Sequence, residues 1–210
     1  GNRYIVSEAH AAVLQVPPTG PASWLNIAPR LVREARAGGM LLRFNALFEG
    51  VAVNPQGDQL WLAAERDRRG LLLIKRGATQ WDCDGNCVLL SEGGKRAQPP
   101  QFHHARPVSL DFADLSLFNG KLFTLERKAF QICRRDPLTA KVERCWSYAA
   151  ELLQDDRRYP QDYGLEEALV VDATGVWIGV DNNTGARVDG EVRPFIWRFA
   201  APEGGWGGKS

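Results

Sequence analysis

Residues 47–67 read LFEGVAVNPQGDQLWLAAERD, two apolar runs that flank a turn at residues 55–57. Apolar runs of this length around a turn that contains proline and glycine predict a β-hairpin. Folded about this turn, the hairpin would place Glu49 opposite Glu65. Like charges at opposite strand positions repel each other. The pair therefore requires a compensating partner, and the nature of that partner bears on what the protein does.

A related unit recurs along the chain: an apolar strand that ends in an acid, a short polar loop and a second strand. The strands begin at Tyr4, Leu60, Leu122 and Val176, and their terminal acids are Glu8, Glu65, Glu126 and Asp181. Strand-rich repeats of about 50 residues are typical of β-propeller blades. We therefore predict an all-β fold, a β-propeller with four recognisable blades. A two-sheet sandwich is the alternative, although it does not require such regular recurrence.

The prediction treats residues 1–202 as a single propeller domain and residues 203–210 as a flexible, glycine-rich tail. The chain opens with Gly1-Asn2 directly before a strand-like run, so we expect the native N-terminus to lie further upstream. The first and last blades look incomplete. Either they combine into one mixed blade, or the complete propeller has five or six blades.

The charge and hydropathy of the chain narrow the classes of partner. Its 26 basic and 25 acidic residues leave a net charge of +1, whereas nucleic-acid-binding domains usually carry a basic patch or stripe. The sequence has no apolar run of the roughly 18 residues that a membrane-spanning helix needs. We therefore predict neither a nucleic-acid partner nor a membrane span.

The four cysteines form two local pairs. Cys133 and Cys145 lie symmetrically about a turn at residues 136–139, and Cys83 and Cys87 bracket a tight turn. Two local disulfides would indicate an oxidising compartment, so we predict a periplasmic or secreted protein. Four reduced thiols are the alternative. A zinc site is less favoured, because the spacing lacks paired CxxC motifs and no histidine lies near either pair.

Three motifs resemble the propeller family named for the esterase-like activity of a phytase. They are FEGVAVNPQGDQLWLAAERD (48–67), FADLSLFNGKLFTLERK (112–128) and GLEEALVVDATGVWIGVDNN (164–183). The resemblance extends over residues 4–199, with Ala113 standing where the family's middle repeat typically has a serine. It implies a secreted or periplasmic propeller, with esterase or phosphoesterase activity as an expectation.

The acidic pair of the first motif has a counterpart in the third, where the predicted hairpin sets Glu167 opposite Asp181. In the middle motif Glu126 would face Phe112, close to Asp111. The acids fall at the end of each hairpin away from its turn, and in a propeller these ends share one face. Several carboxylates on one face repel each other unless a cation or arginine side chains compensate them.

Calcium is the first compensating partner considered, because it takes six to eight oxygen ligands. The candidate metal ligands are Glu49, Glu65, Glu126, Glu167 and Asp181. Arginine is the second. Arg66 and Arg127 each follow an acid directly, and each could pair with the acid of the neighbouring blade. In that interpretation the arginines join adjacent blades and the face holds no ligand.

Catalytic candidates are weaker. His10, two residues beyond Glu8, is a weak candidate for a general base. His103 and His104 are adjacent and would point to opposite sides of a strand, so they are interpreted as loop residues. The sequence lacks the Gly-x-Ser-x-Gly motif of serine hydrolases.

Two functions follow from these patterns. The first is metal-assisted hydrolysis of a small-molecule ester or phosphoester. Calcium would be held by Glu49, Glu167 and Asp181, and Arg66 and Arg127 would bind an anionic part of the substrate. The alternative is a non-catalytic propeller that binds a ligand or a protein partner. That alternative predicts pairing of arginines and acids across blades.

Overall fold

The described residues form four antiparallel sheets of three or more strands that follow one another along the sequence, here called blades 1 to 4, and one two-stranded ribbon. The structure is a computed structural model that describes residues 1–102 and 106–207. His103 and His104 lie outside the described residues, so the interpretation of these two side chains stays a prediction.

Blade 1 consists of β1 (Arg3–Ser7), β2 (Ala12–Val16) and β3 (Ser23–Trp24). Helix α1 (Arg30–Ala37) leads to blade 2, which consists of β4 (Phe48–Val53), β5 (Gln59–Ala64), β6 (Arg68–Arg76), β7 (Trp81–Asp82) and β8 (Val88–Gly93). A small ribbon follows, formed by β9 (Lys95–Arg96) and β10 (Val108–Ser109).

Blade 3 consists of β11 (Asp114–Phe118), β12 (Lys121–Glu126), β13 (Gln131–Arg135) and β14 (Val142–Ser147). Helix α2 (Ala149–Leu152) leads to blade 4, which consists of β15 (Glu166–Val171), β16 (Gly175–Val180) and β17 (Ile196–Ala200). Short 3-10 turns follow β1 at Glu8–His10 and β12 at Arg127–Ala129.

The first strands of the four blades lie side by side in chain order. Strand β1 contacts β4, β4 contacts β11, and β11 contacts β15. Each blade then runs outward from its first strand as an antiparallel meander. This arrangement of sheets around a shared inner edge is that of a β-propeller, and it confirms the predicted all-β propeller fold with four recognisable blades.

The hydrophobic core fills the spaces between blades. Leu60, Leu62 and Ala64 of β5 belong to a cluster that includes side chains of α1 and blade 1. Trp61 and Ala63, the alternating residues, belong to the cluster shared with blade 3. A strand that is buried on both faces has no polar face to alternate with, which explains the continuous apolar run LWLAA.

The inner strands approach each other closely and are joined by side chains. A Cβ atom at Gly50 of β4 would lie 2.8 Å from the Cα of Asp114 in β11, so glycine permits this spacing. On the other side of β11, Asp114 Oδ2 accepts a hydrogen bond from the backbone N–H of Leu169 (2.7 Å), and Ser116 Oγ accepts one from that of Val171 (3.0 Å). Blades 3 and 4 are therefore held together along the edge of β15.

Replacing Asp114 with asparagine should flatten the pH dependence of stability. Burial raises the pKa of Asp114 to about 7, against two backbone N–H donors that lower it. Because the folded state holds this proton more tightly than the unfolded state, the wild type loses stability as the pH rises from about 4 to about 7. Urea unfolding gives the difference in the free energy of unfolding between Asp114→Asn and the wild type. This difference should favour the variant by about 2 kcal/mol more at pH 8 than at pH 5. The same stability difference between variant and wild type at both pH values would contradict the raised pKa of Asp114.

Both predicted disulfides are confirmed, as Cys83–Cys87 and Cys133–Cys145. Cys133 and Cys145 are also direct neighbours in the register of β13 and β14. Within the two described ranges of the chain, no helix is long and apolar enough to cross a membrane.

The described part of the predicted flexible tail, residues 203–207, contains a buried tryptophan. Trp206 is 7% exposed, and its Nε1 donates to the backbone oxygen of Asp172 (2.6 Å). Its ring meets those of Phe123 and Trp146 edge-on, at centroid distances of 5.5 and 5.1 Å. Burial of one large aromatic side chain stabilises the docked tail and offsets the conformational freedom of the neighbouring glycines.

Candidate functional site

A pocket of about 710 Å³ opens on the face where the predicted acids lie. Five acidic side chains line it: Glu8, Glu49, Glu65, Glu167 and Asp181. Three basic side chains also line it: Arg66, Arg127 and Lys128. When all are ionised, the lining carries an excess of two negative charges. Four of the five predicted metal ligands and both predicted arginines therefore meet in one place.

The predicted register of the first acidic pair is wrong. Phe48 pairs with Ala64 and Gly50 pairs with Ala63, and Glu49 is the extra residue between these pairs. A β-bulge of this kind re-aims a side chain that a regular strand would direct elsewhere. The carboxylates of Glu49 and Glu65 still come together, but through the bulge and not as cross-strand partners.

The same feature recurs in blade 4, where the predicted register is wrong for the same reason. Glu166 pairs with Val180 and Ala168 with Gly179, which makes Glu167 the bulged residue. The backbone N–H of Asp181 donates to Leu165 (3.0 Å). Bulges at Glu49 and Glu167 therefore turn two acids from different blades toward the same pocket.

A group of three carboxylates lies on one side of the pocket, and we call it the carboxylate trio: Glu8, Glu49 and Glu65. One ligand atom from each lies within 4.8 Å of those of the others. Glu8 begins the turn after β1, and Glu65 directly follows β5. Glu8 was not among the predicted ligands, although its place at the end of an acid-terminated strand was the signal for it.

Glu65 is the most buried member of the trio, at 1% exposure. Its Oε1 accepts hydrogen bonds from Arg66 and from Arg127 (2.6 Å). Its Oε2 is buried and has no hydrogen-bond partner among the residues that the structure describes. A buried, unpartnered carboxylate oxygen is costly, and Oε2 retains the capacity to accept a hydrogen bond or to bind a cation.

The surroundings of the trio disfavour the charged forms of Glu49 and Glu65. Burial, followed by the nearby carboxylates of Glu65 and Glu8, raises the pKa of Glu49 to about 7, against the opposing effect of Arg127 and Arg66. Burial also raises the pKa of Glu65. A cation bound between the three groups would favour their charged forms.

Arg127 connects three blades. From blade 3 its guanidinium bonds to Glu65 of blade 2 (2.6 Å), to Glu167 of blade 4 and to Asp111 (3.0 Å). The predicted pairing of an arginine with acids of neighbouring blades is thus observed at Arg127. Arg66 differs, because it pairs with Glu65 of its own blade.

Glu126 lies apart from the pocket, which argues against its predicted place among the metal ligands. It is 2% exposed and forms ion pairs with Arg69 (2.9 Å) and Arg135 (2.7 Å). The two guanidiniums also lie over the ring of Phe112, at 4.4 and 5.2 Å from its centroid. Two arginines therefore already compensate this carboxylate.

The structure places His10 outside this arrangement. Its Nδ1 is 2.9 Å from the Oγ of Ser7, and its ring lies 5.4 Å from that of Trp24. The basic groups that line the pocket with the trio are Arg66, Arg127 and Lys128. Burial lowers the pKa of Lys128, against the opposing effect of Asp111.

Comparisons with known proteins find similarity at the level of solved structures only. No family model and no curated protein sequence matches the chain. A luciferin-regenerating enzyme is 6% identical with a TM-score of 0.46, and the match covers 91% of this chain and 52% of that one. An auxiliary nutrient binding protein from Bacteroides thetaiotaomicron is 12% identical with a TM-score of 0.44, covering 94% and 45%.

A third structure, BamB from Moraxella catarrhalis, is 9% identical with a TM-score of 0.35, covering 74% of this chain and 38% of that one. The chain thus spans about half of the length of these proteins or less. The resemblance of the three sequence motifs to the phytase-related family stays a prediction.

Proposed function

We propose that the pocket binds a divalent cation, calcium in the first place, and hydrolyses an ester or phosphoester of a small molecule. The observation that supports this proposal is the carboxylate trio with the buried, unpartnered Oε2 of Glu65. The proposal assigns the cation to Glu8, Glu49 and Glu65. It replaces the ligand set expected from the sequence, because Glu8, Glu49 and Glu65 bring ligand atoms within 4.8 Å of one another, whereas Glu167 is not part of this group.

The chemistry of the donors fits a hard cation. Three carboxylates offer up to six oxygens, and calcium and magnesium prefer oxygen ligands. A divalent cation would also offset the excess of two negative charges in the pocket lining. Asp181 and Asn183 lie in the same pocket and offer further oxygens.

The protein's own groups would bind and orient the substrate. A cation at the trio supplies polarisation of the ester or phosphoryl oxygen and a more acidic bound water. Arg66 and Lys128 are positioned to bind an anionic substrate group beside the trio. Arg127 contributes less to substrate binding, because three carboxylates already engage its guanidinium.

The two disulfides support an exported protein, periplasmic or secreted, since such bonds persist in oxidising compartments. Export would bring the pocket into contact with external calcium, which is far more abundant than the free calcium of a cytoplasm.

A non-catalytic propeller that binds a ligand or a protein partner is the second candidate. The observation that favours it is the bridging of three blades by Arg127, which that hypothesis predicts. In this case the acidic and basic groups of the pocket serve mainly to hold the blades together.

Thermal unfolding with calcium and then with excess chelator tests the cation site. A ligand that binds only the folded state adds roughly 2.7 kcal/mol at 100 times its dissociation constant. We expect this stabilisation in the wild type and its loss in Glu8→Gln and Glu49→Gln. Glu151→Gln, which changes an exposed acid of α2, is the matched control and should retain it.

A melting temperature that is independent of calcium, with no metal found by elemental analysis, would reject the cation site and the mechanism that depends on it. If the site is present, hydrolysis of carboxylic esters and phosphate esters is measured with calcium and with chelator. Calcium-stimulated turnover that Glu49→Gln abolishes would support the enzyme. Calcium binding without turnover would favour the second candidate.

A further inference from the structure

An apolar groove adjoins the charged pocket. It has a volume of about 520 Å³ and shares Glu167 and Asp181 with that pocket. Its other lining residues are Ala168, Gly179, Val180, Pro194, Phe195 and Ile196. The two depressions therefore meet at a pair of carboxylates, with charged groups on one side and apolar side chains on the other.

The floor of the groove is built from small residues in register. Ala168 of β15 pairs with Gly179 of β16, which in turn pairs with Ile196 of β17. A Cβ atom at Gly179 would lie 3.1 Å from the Cβ of Ala168. The absence of a side chain at Gly179 therefore leaves the groove open. The bulge at Glu167 aligns this floor with the edge of the charged pocket.

The wall of the groove is held in place by ring contacts. The ring of Phe195 stacks on that of Tyr159 at 6.1 Å with an interplanar angle of 9°, and meets Trp197 edge-on at 5.0 Å. The guanidinium of Arg187 lies over the same ring, 5.1 Å from its centroid. Ile196, next to it, is 66% exposed and offers apolar surface that is not yet buried.

We propose that the substrate is amphiphilic: its ester or phosphate group binds in the charged pocket, and an attached alkyl chain or apolar ring lies in the groove over Ala168, Gly179 and Ile196. This inference rests on the proposed function and names its substrate class. The shared carboxylates explain why one molecule would occupy both depressions. An apolar chain that leaves the charged pocket past Glu167 and Asp181 enters the groove directly.

The affinity for straight-chain alkyl phosphates, from ethyl to decyl, tests the inference. Calorimetric titrations with the whole protein and calcium are made below the micelle concentration of each compound. Once the chain is long enough to leave the charged pocket, the affinity should rise about two- to four-fold per methylene, since the open groove covers the chain on one side only. Hydrolysis of 4-nitrophenyl esters with the same chain lengths shows whether carboxylic esters follow the same order.

Two variants of blade 4 provide the comparison. Ile196→Asp places a charge in the groove and should remove the chain-length dependence. Val170→Asp changes another exposed apolar residue of the same blade, 57% exposed and outside the groove lining, and should keep it. Circular dichroism melting confirms that both variants fold.

The outcomes separate the two proposals. If ethyl and decyl phosphate bind the wild type equally in calcium, or if Ile196→Asp keeps the chain-length dependence, the inference is overturned while the cation site remains. If affinity rises with chain length but nothing is hydrolysed, the inference about the groove is supported and the proposed hydrolase activity is rejected. If no alkyl phosphate binds and calcium leaves melting unchanged, the proposed function fails and the inference fails with it.

Discussion

Replacing Arg127 with methionine is expected to lower the free energy of unfolding by about 3–5 kcal/mol at pH 8, the cost of removing one partner from a buried ion pair. The variant leaves Glu65 and Asp111, each 1% exposed, without their shared guanidinium. Glu167 of blade 4 loses the same partner. Contacts that hold blades 2, 3 and 4 together are therefore lost in one substitution.

The loss should depend on pH. Without Arg127 the pKa values of Glu65 and Asp111, which burial already raises, rise further above their unfolded values. The folded variant then holds protons that the unfolded chain releases, so its stability falls as the pH rises. Urea unfolding should accordingly show a smaller deficit at pH 5 than at pH 8.

Arg43→Met is the matched control for Arg127. Arg43 pairs with Asp67 at the surface, where the two side chains are 65% and 41% exposed. An exposed pair of this kind contributes about 1 kcal/mol or less. Similar losses in Arg127→Met and Arg43→Met would show that the three-blade connection contributes little to stability.

Replacing Glu126 with glutamine should cost roughly 3 kcal/mol, with or without calcium. Its carboxylate compensates the guanidiniums of Arg69 and Arg135, which are 7% and 4% exposed. Removing the negative charge leaves two positive groups close together beneath the surface. The loss falls at the low end of the range for buried pairs, because Glu92 still pairs with Arg69 (2.8 Å).

Calcium dependence separates Glu126 from the carboxylate trio. Glu49→Gln should be less stable than the wild type mainly when calcium is present. The stability deficit of Glu126→Gln should be the same in calcium and in chelator. Chelator titration of both variants by thermal unfolding makes this comparison. If the stability deficit of Glu126→Gln disappears in chelator, Glu126 is a ligand of the cation after all.

The acids that the sequence predicts on one face of the propeller thus have two roles, which the sequence pattern does not distinguish. The trio keeps two buried oxygens, Glu8 Oε1 and Glu65 Oε2, without a partner in the part of the chain that the structure describes, which suits a ligand. Glu126 and Asp111 are engaged by arginine and lysine side chains, which suits cohesion between blades. Arginine compensation is observed at Glu65 and Glu126, and the proposed cation would compensate the trio, to which Glu65 also belongs.

Features that depend on nearby residues could be predicted from the sequence. The repeated strand and turn pattern predicted four blades, because strand pairing and turn chemistry act over a few residues. Both disulfides followed from spacing about a turn, since Cys133 and Cys145 pair within one hairpin. The predicted meeting of acids on one face is observed for four of the five candidate ligands, which line one pocket.

Features that depend on irregular strand pairing or on contacts between distant residues were decided only by the tertiary structure. A bulge adds one residue to a strand and changes where Glu49 points, and residue spacing does not reveal it. The meeting of Glu8 with Glu65, the neutralisation of Glu126 by Arg69 and the groove beside Glu167 all join residues that are distant in sequence or on different strands. The sequence by itself determined the blades and their disulfides, because those are local interactions. The packing of blade against blade decided which carboxylates meet an arginine and which of them come together in the trio.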